Sequence, residues 1–262
     1  MAFILLGPED ILLASGLVLG AGLLSVSLRL GMERRLLVAA LRTVIQLTLL
    51  GLVLKWVFAQ ATPLAVLLIL GFMTFVAGRE AVARSRRRYR LVFLDTTLAM
   101  ATSAVVIGFL VTQVIVGVKP WYHPQYVIPL LGMILGNSLN GVSLALDHFL
   151  EYLETRREEL ELRLTFAASR TEVLRPPLRS AMRRGLIPIV NAMSVAGIVS
   201  LPGMMTGQIL AGAPPMQAVA YQILIMFMLA GAYTLGIVVV SLLAGTRLIT
   251  SEVRLALERL QK

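Results

Sequence analysis

The sequence predicts an all-α fold, a polytopic transmembrane helical bundle of about seven spans with its N-terminus outside and its C-terminus cytoplasmic. Three observations predict it. The 262 residues are 58% hydrophobic and only 15% charged, against roughly 25% charge in soluble domains. The apolar residues lie in contiguous runs, and a helix needs about 20 of them to cross a hydrocarbon core of about 30 Å. The arginines gather in alternate connections, as Lys and Arg do in cytoplasmic loops. The expected location is therefore the cell (inner) membrane, with the lipid bilayer as the chain's first partner.

The runs occupy Ile11 to Leu28, Leu36 to Leu54, Pro63 to Gly78, Leu98 to Val118, Val127 to Leu146, Leu186 to Ala213 and Ala218 to Leu243. The first follows Glu9 and Asp10 with no basic stretch before it, so it reads as an uncleaved span rather than a signal peptide. Of the 24 basic residues, all but Arg42, Lys55 and Lys119 fall in the segments 29–35, 79–90, 147–185 and the tail after Thr246. Those connections are expected on the cytoplasmic side. Trp56, Trp121, Tyr122 and Tyr126 sit in the opposite set, where amphipathic rings suit the headgroup layer. The third run is short, which leaves six or seven spans. The sixth would extend about 42 Å as one straight helix, so a break is expected at Ser200-Leu201-Pro202-Gly203, tolerated in a membrane where the freed backbone faces protein or a wet cavity.

Asp147 to Gly185 is the one long polar segment. Leu150, Leu153, Leu160 and Leu164 recur at helical spacing among Glu154, Arg156, Glu158, Glu159 and Arg163, predicting an amphipathic helix that continues from the fifth span. Pro176-Pro177 is expected to end it, with a second short helix over 178–184. The segment either lies on the membrane as a connector or docks a cytoplasmic protein partner.

A net charge of +10 could suggest nucleic acid, but Arg84, Arg86, Arg87 and Arg88 follow a span directly and read as a stop-transfer anchor, so no nucleic-acid partner is expected. Cysteine is absent, which removes thiolate metal sites and cysteine nucleophiles. Neither HExxH nor GxSxG occurs, and the expectation is a non-enzyme with no catalytic residues and no bound cofactor. None of Lys55, Lys119 or Lys262 follows glycine, so no Walker loop can hold ATP. Any ATP-driven motor must be another polypeptide.

Polar groups inside the runs are the candidate substrate path. Arg42 and Gln46, four apart, share a helix face in the second span. Arg42 either snorkels toward the cytoplasm or faces a wet cavity. In the fifth, Asn137, Ser138 and Asn140 stand among Gly132, Gly136 and Gly141, a pattern that serves close helix packing or lines a path. Met204, Met205 and Gln208 follow the Pro-Gly break and serve as gap-fillers or line a route for a soft or weakly solvated solute. Asp95 is a cation contact or a carboxylate favoured at a helix N-terminus.

Arg42-Thr43 with Gln46-Leu47, the string 136–141 (GNSLNG), Tyr221-Gln222-Ile223 and above all the string 201–212 (LPGMMTGQILAG) resemble the Fet-type ABC transporter permease family, which holds bacterial iron-export permeases and plant aluminium-tolerance permeases. The resemblance covers nearly the whole chain. It implies a single permease domain over 1–262 that exports iron or another metal or small solute. Two copies would pair with two copies of a separate cytoplasmic ATP-binding-cassette ATPase, and segment 147–185 would become the coupling region. Glu154, Arg157, Glu158, Glu159, Arg163 and Arg170 are its coupling candidates, and no metal ligands are assigned. The alternative is an ATP-independent secondary transporter or channel, against which no internal repeat is visible.

Overall fold

Proline opens four of the long helices, at Pro8, Pro63, Pro124 and Pro215, where its missing N–H would be unpaired anyway and its fixed φ suits the first turn. The computed structural model describes residues 7–85, 87–249, 255 and 260. Its helices are α1 Pro8–Ser27, α2 Glu33–Gln60, α3 Pro63–Arg84, α4 Val92–Phe109, α5 Pro124–Thr155, α6 Arg157–Thr165, α7 Arg170–Val195, α8 Gly203–Leu210 and α9 Pro215–Leu248. α4 runs on into a π-helical turn, Leu110–Ile115. Arg86 and the tail arginines Arg254 and Arg259, with Lys262, lie outside the described residues.

Among the described residues, six helices are long and apolar enough to cross a membrane: α1, α2, α3, α4 with its π turn, α5 and α9. The helical membrane bundle expected from composition is the fold. The run 186–213 is the exception. It is divided between the end of α7, a non-helical stretch and the short α8. The chain leaves the helix at Val195, earlier than Pro202 requires, because Gly197 turns at φ 81° and its N–H bonds the Ser200 carbonyl at 2.8 Å. This tight turn satisfies locally the backbone groups that the helix gives up.

The expected helix end at Pro176-Pro177 is also corrected, since Pro176, Pro177 and Pro188 all lie inside α7. The break falls upstream, at Phe166 to Ala168, where Ala167 adopts φ 58°. Ser169 and Glu172 then form a reciprocal capping box, a start signal that overrides the two prolines. An interior proline costs about 3 kcal/mol. Packing of Val173, Leu174, Pro177 and Ala181 into the core offsets it.

The chain divides into two compact units. One, Met1–Ala61 with Leu210–Gly212, is built on the α1–α2 hairpin. Its turn is stapled by the buried Ser25, whose hydroxyl donates to Glu33 Oε2 (3.1 Å) and accepts from the Met32 N–H (3.0 Å). The other unit, Thr62–Ile209 with Ala213–Lys262, centres on α5, which packs against α3, α4, α7 and α9. At 32 residues, α5 extends about 48 Å and so projects beyond the hydrocarbon layer. Its projecting end buries Leu150 and Leu153, α6 adds the buried Leu160 and the partly buried Leu164, and these are the leucines whose spacing forecast an amphipathic segment. A close crossing is at Gly141 of α5 and Gly185 of α7. A Cβ on Gly185 would lie 2.6 Å from Ile237 Cδ1, 2.8 Å from Ala145 Cβ and 2.9 Å from the Gly141 carbonyl oxygen. Small residues at such crossings let helix backbones touch, the means by which helices gain contact in lipid.

Candidate transport path and coupling surface

The three path candidates of α5 lie within one turn and face different ways. Ser138 is fully buried, and its hydroxyl has no hydrogen-bond partner among the described residues. Asn137 is half-buried and donates from Nδ2 to the Met133 carbonyl of its own helix at 2.9 Å. Asn140 is exposed, and its Oδ1 accepts from the Arg84 guanidinium at the end of α3. Asn140 thus ties α3 to α5, and of the three only Ser138 turns into the packed interior.

Met204, Met205 and Gln208 occupy α8, all half-buried. Met204 packs against the hydrophobic core, which is the gap-filling role open to methionine. The Gln208 side-chain oxygen is buried with no hydrogen-bond partner among the described residues, a costly state for an amide. Arg42 and Gln46 belong to the other unit. On α2 they border, with Arg34, Arg35 and Thr43, a hollow of about 620 Å³. No group of three or more His, Asp or Glu side chains able to hold a metal occurs among the described residues.

The coupling candidates separate into two sets. Glu154 receives the Arg87 Nε–H at 2.7 Å, and Arg170 donates to the carbonyls of Gly245 (3.3 Å) and Ile249 (2.8 Å). Arg170 therefore caps the carboxyl end of α9, where a cation complements the helix dipole and the orphan carbonyls. The remaining candidates lie outward on α6. Arg157 pairs with Glu161 at 2.7 Å, Arg163 with Glu159 at 2.8 Å, and Glu158 is exposed. Where α6 ends, Leu162 and Phe166 are exposed, Phe166 by 80%. Phe166 stands at a hollow of about 620 Å³ that Arg163, Glu172 and Arg175 also border.

Two polar clusters extend the sequence reading, which singled out Glu154 and Asp95 but not their partners. In the first, Arg87 lies near Asp147 and Glu151 (3.9 Å each) as well as Glu154, three carboxylates on one face of α5 at i, i+4 and i+7. The Glu154 hydrogen bond outweighs burial and, with the other two acids, raises the Arg87 pKa, so the cation is permanent. This strap fastens the α3–α4 connection to α5. His148 continues it, with Nε2 at 2.8 Å from Ser180 Oγ of α7. In the second cluster, Asp95 of α4 is fully buried, accepts from the Tyr89 hydroxyl at 2.8 Å and lies 3.5 Å from the Arg247 guanidinium of α9. Burial, then the negative Asp95, raises the Tyr89 phenol pKa, which keeps it a donor. Asp95 is thus both a first-turn carboxylate and a cation contact. Its spacing from Arg247, more than 150 residues, left no local signal.

Residues 8–249 match the model of the family described as Uncharacterised protein family (UPF0014). The chain belongs to the UPF0014 family. It is similar to the UPF0014 membrane protein slr1647 of Synechocystis, 40% identical over 81% of this chain and 82% of that one. It is 31% identical to the Probable iron export permease protein FetB of Escherichia coli, over 97% of this chain and 96% of the relative. The UPF0014 membrane protein STAR2 of rice is 33% identical over 84% and 76%. No solved structure matches the chain. A UPF0014 family that includes a permease, together with six apolar helices, makes this a multi-pass membrane protein, and the resemblance drawn from residues 201–212 is correct.

Proposed function

We propose that this UPF0014 member is the membrane-spanning subunit of an ABC transporter that exports iron or a similar small solute. The observation that carries the reading is the near full-length similarity to a protein named as a probable iron export permease. Two copies would join two copies of a separate ATPase, since closed two-fold pairing is the usual oligomer and no Walker loop exists in the sequence. Closure of the motors would push the α6 surface, where Arg157, Glu158, Glu159 and Arg163 stand beside Phe166, while Glu154 and Arg170 would pass that push into α5 and α9.

In the second unit the path would run past Asn137, Ser138 and Asn140, and Met204, Met205 and Gln208, near the interrupted helix; Arg42 and Gln46 are the candidates of the other unit. These groups offer amides, a hydroxyl, thioethers and one cation rather than carboxylates, so the cargo is a chelated or softly ligated metal, or an organic solute, rather than a bare hard cation. The deciding experiment is co-reconstitution with the neighbouring-gene ATPase in vesicles. Uptake that needs both proteins and ATP supports the reading, and solute movement by this chain alone without ATP overturns it. Glu158→Lys with Glu159→Lys should weaken ATPase co-purification without loss of inserted protein, and Asn137→Leu or Gln208→Leu should slow transport at unchanged expression.

A further inference from the structure

α3, α4 with its π turn, and α5 enclose an elongated cavity of about 530 Å³, within the range of small-ligand pockets. It runs along α4 from Thr97 to Gln113, about 24 Å at 1.5 Å per residue, which is most of the depth of a hydrocarbon core. Its inner wall is the buried Ala104 and Leu135, while Leu67, Phe75, Val105 and Phe109 at its mouth are more than half exposed. On helices that cross a bilayer, that mouth opens on lipid.

The chemistry of the wall selects the occupant. Thr74, Thr97 and Thr112 each give their only hydroxyl proton to the carbonyl four residues back, so none is left to donate to a polar solute. The remaining polar group is at one end, where the Gln113 amide reaches the Trp121 carbonyl at 3.5 Å. Indole and amide groups of this kind suit the layer where acyl chains meet headgroups. Apolar cavities take up apolar molecules rather than water.

We infer that this cavity is a binding site for a phospholipid acyl chain, held between α3, α4 and α5 with its headgroup end at Gln113 and Trp121. Gly71 opens the slot. It lines the cavity, and a Cβ there would meet nothing within 4 Å, so larger side chains enter the space without moving the helices. The site depends on membrane insertion alone and is independent of which solute the protein carries.

The test uses the full chain in vesicles containing phosphatidylethanolamine with a diazirine on its acyl chain, with adducts mapped by mass spectrometry after photolysis. Adducts are expected on Ala101, Ala104 and Leu135. Gly71→Leu should lower their yield about ten-fold and Gly71→Ala by less, while adducts on the outward-facing Val114 stay unchanged. The inference is overturned by labelling confined to outward residues such as Val114 or by inner-wall labelling that ignores both Gly71 variants. Crosslinks showing that the slot holds another segment of this chain or of a second copy would overturn it equally.

Discussion

Gly185→Ala sets two effects of known sign against each other. Alanine should favour α7 by about 0.8–1.0 kcal/mol, the helix propensity difference from glycine. Against this, the new methyl would sit 2.6 Å from Ile237 Cδ1, 2.8 Å from Ala145 Cβ and 2.9 Å from the Gly141 carbonyl oxygen. Overpacking costs about 1–3 kcal/mol. Only the Ile237 tip can rotate away, because Ala145 Cβ and the Gly141 carbonyl are fixed to the α5 backbone, so the cost falls near the upper figure. The net loss is about 2 kcal/mol, or a fall in Tm of about 4–8 °C at about 2–4 °C per kcal/mol. Gly136→Ala is the control, since its Cβ would meet nothing within 4 Å and only the propensity gain remains, so its Tm should hold or rise. Thermal unfolding of both variants in one detergent, followed by tryptophan fluorescence, decides the matter. A Gly185→Ala protein as stable as wild type would refute the tight crossing of α5, α7 and α9.

Arg170→Met removes the donors to Gly245 and Ile249 and should cost about 1.5–3 kcal/mol, as for hydrogen bonds from charged groups. Unchanged thermal stability would leave Arg170 without its capping role. Asp95→Asn strips the buried partner from Arg247 and should destabilise by about 3 kcal/mol, the lower end for a broken buried pair because Arg247 is partly exposed. A double-mutant cycle with Arg247→Gln should return a coupling of at least about 1 kcal/mol, and additivity would dismiss the pair. Ser169 backbone and side-chain hydrogen bonds hold the Glu172 pKa below its ordinary value. The unfolded chain then binds more protons, so this contribution is present above the ordinary carboxylate pKa and disappears as acid titrates the folded group. The protection factor of the amides at the start of α7, with exchange referred to the intrinsic rate at each pH, should fall in acid in the wild type and lose that pH dependence in Glu172→Gln.

The membrane fold was legible because lipid imposes a coarse rule: a stretch without charges must be long enough to cross, and every crossing shows in composition. The start at Pro63 was read directly, whereas Pro8, Pro124 and Pro215 begin their helices three residues before the apolar runs at Ile11, Val127 and Ala218. Where tertiary packing competes with local preference, sequence misleads. Pro176 and Pro177 have the local chemistry of a helix end, yet α7 runs through them because its capping box lies seven residues earlier and its buried face is held by the core. The π turn after Phe109 leaves no trace in the hydrophobic pattern, since one widened turn hardly changes the spacing of a span apolar all round.

Polar roles were harder to read than polar positions. Asn140 stood out as an amide within a span, but its partner Arg84 is 56 residues away, and Arg170 finds its carbonyl partners 75 and 79 residues on. Sequence supplies the residue and the fold supplies the partner. The partner also changes what a loss of function would mean. Removing Glu154 or Arg170 disturbs Arg87 or the end of α9, so a transport defect there would follow from altered packing whether or not an ATPase ever touched the residue. Leu162 and Phe166 carry no such ambiguity: both are exposed, little of the fold rests on them, and a loss of ATPase binding on substituting them would report contact with the partner itself.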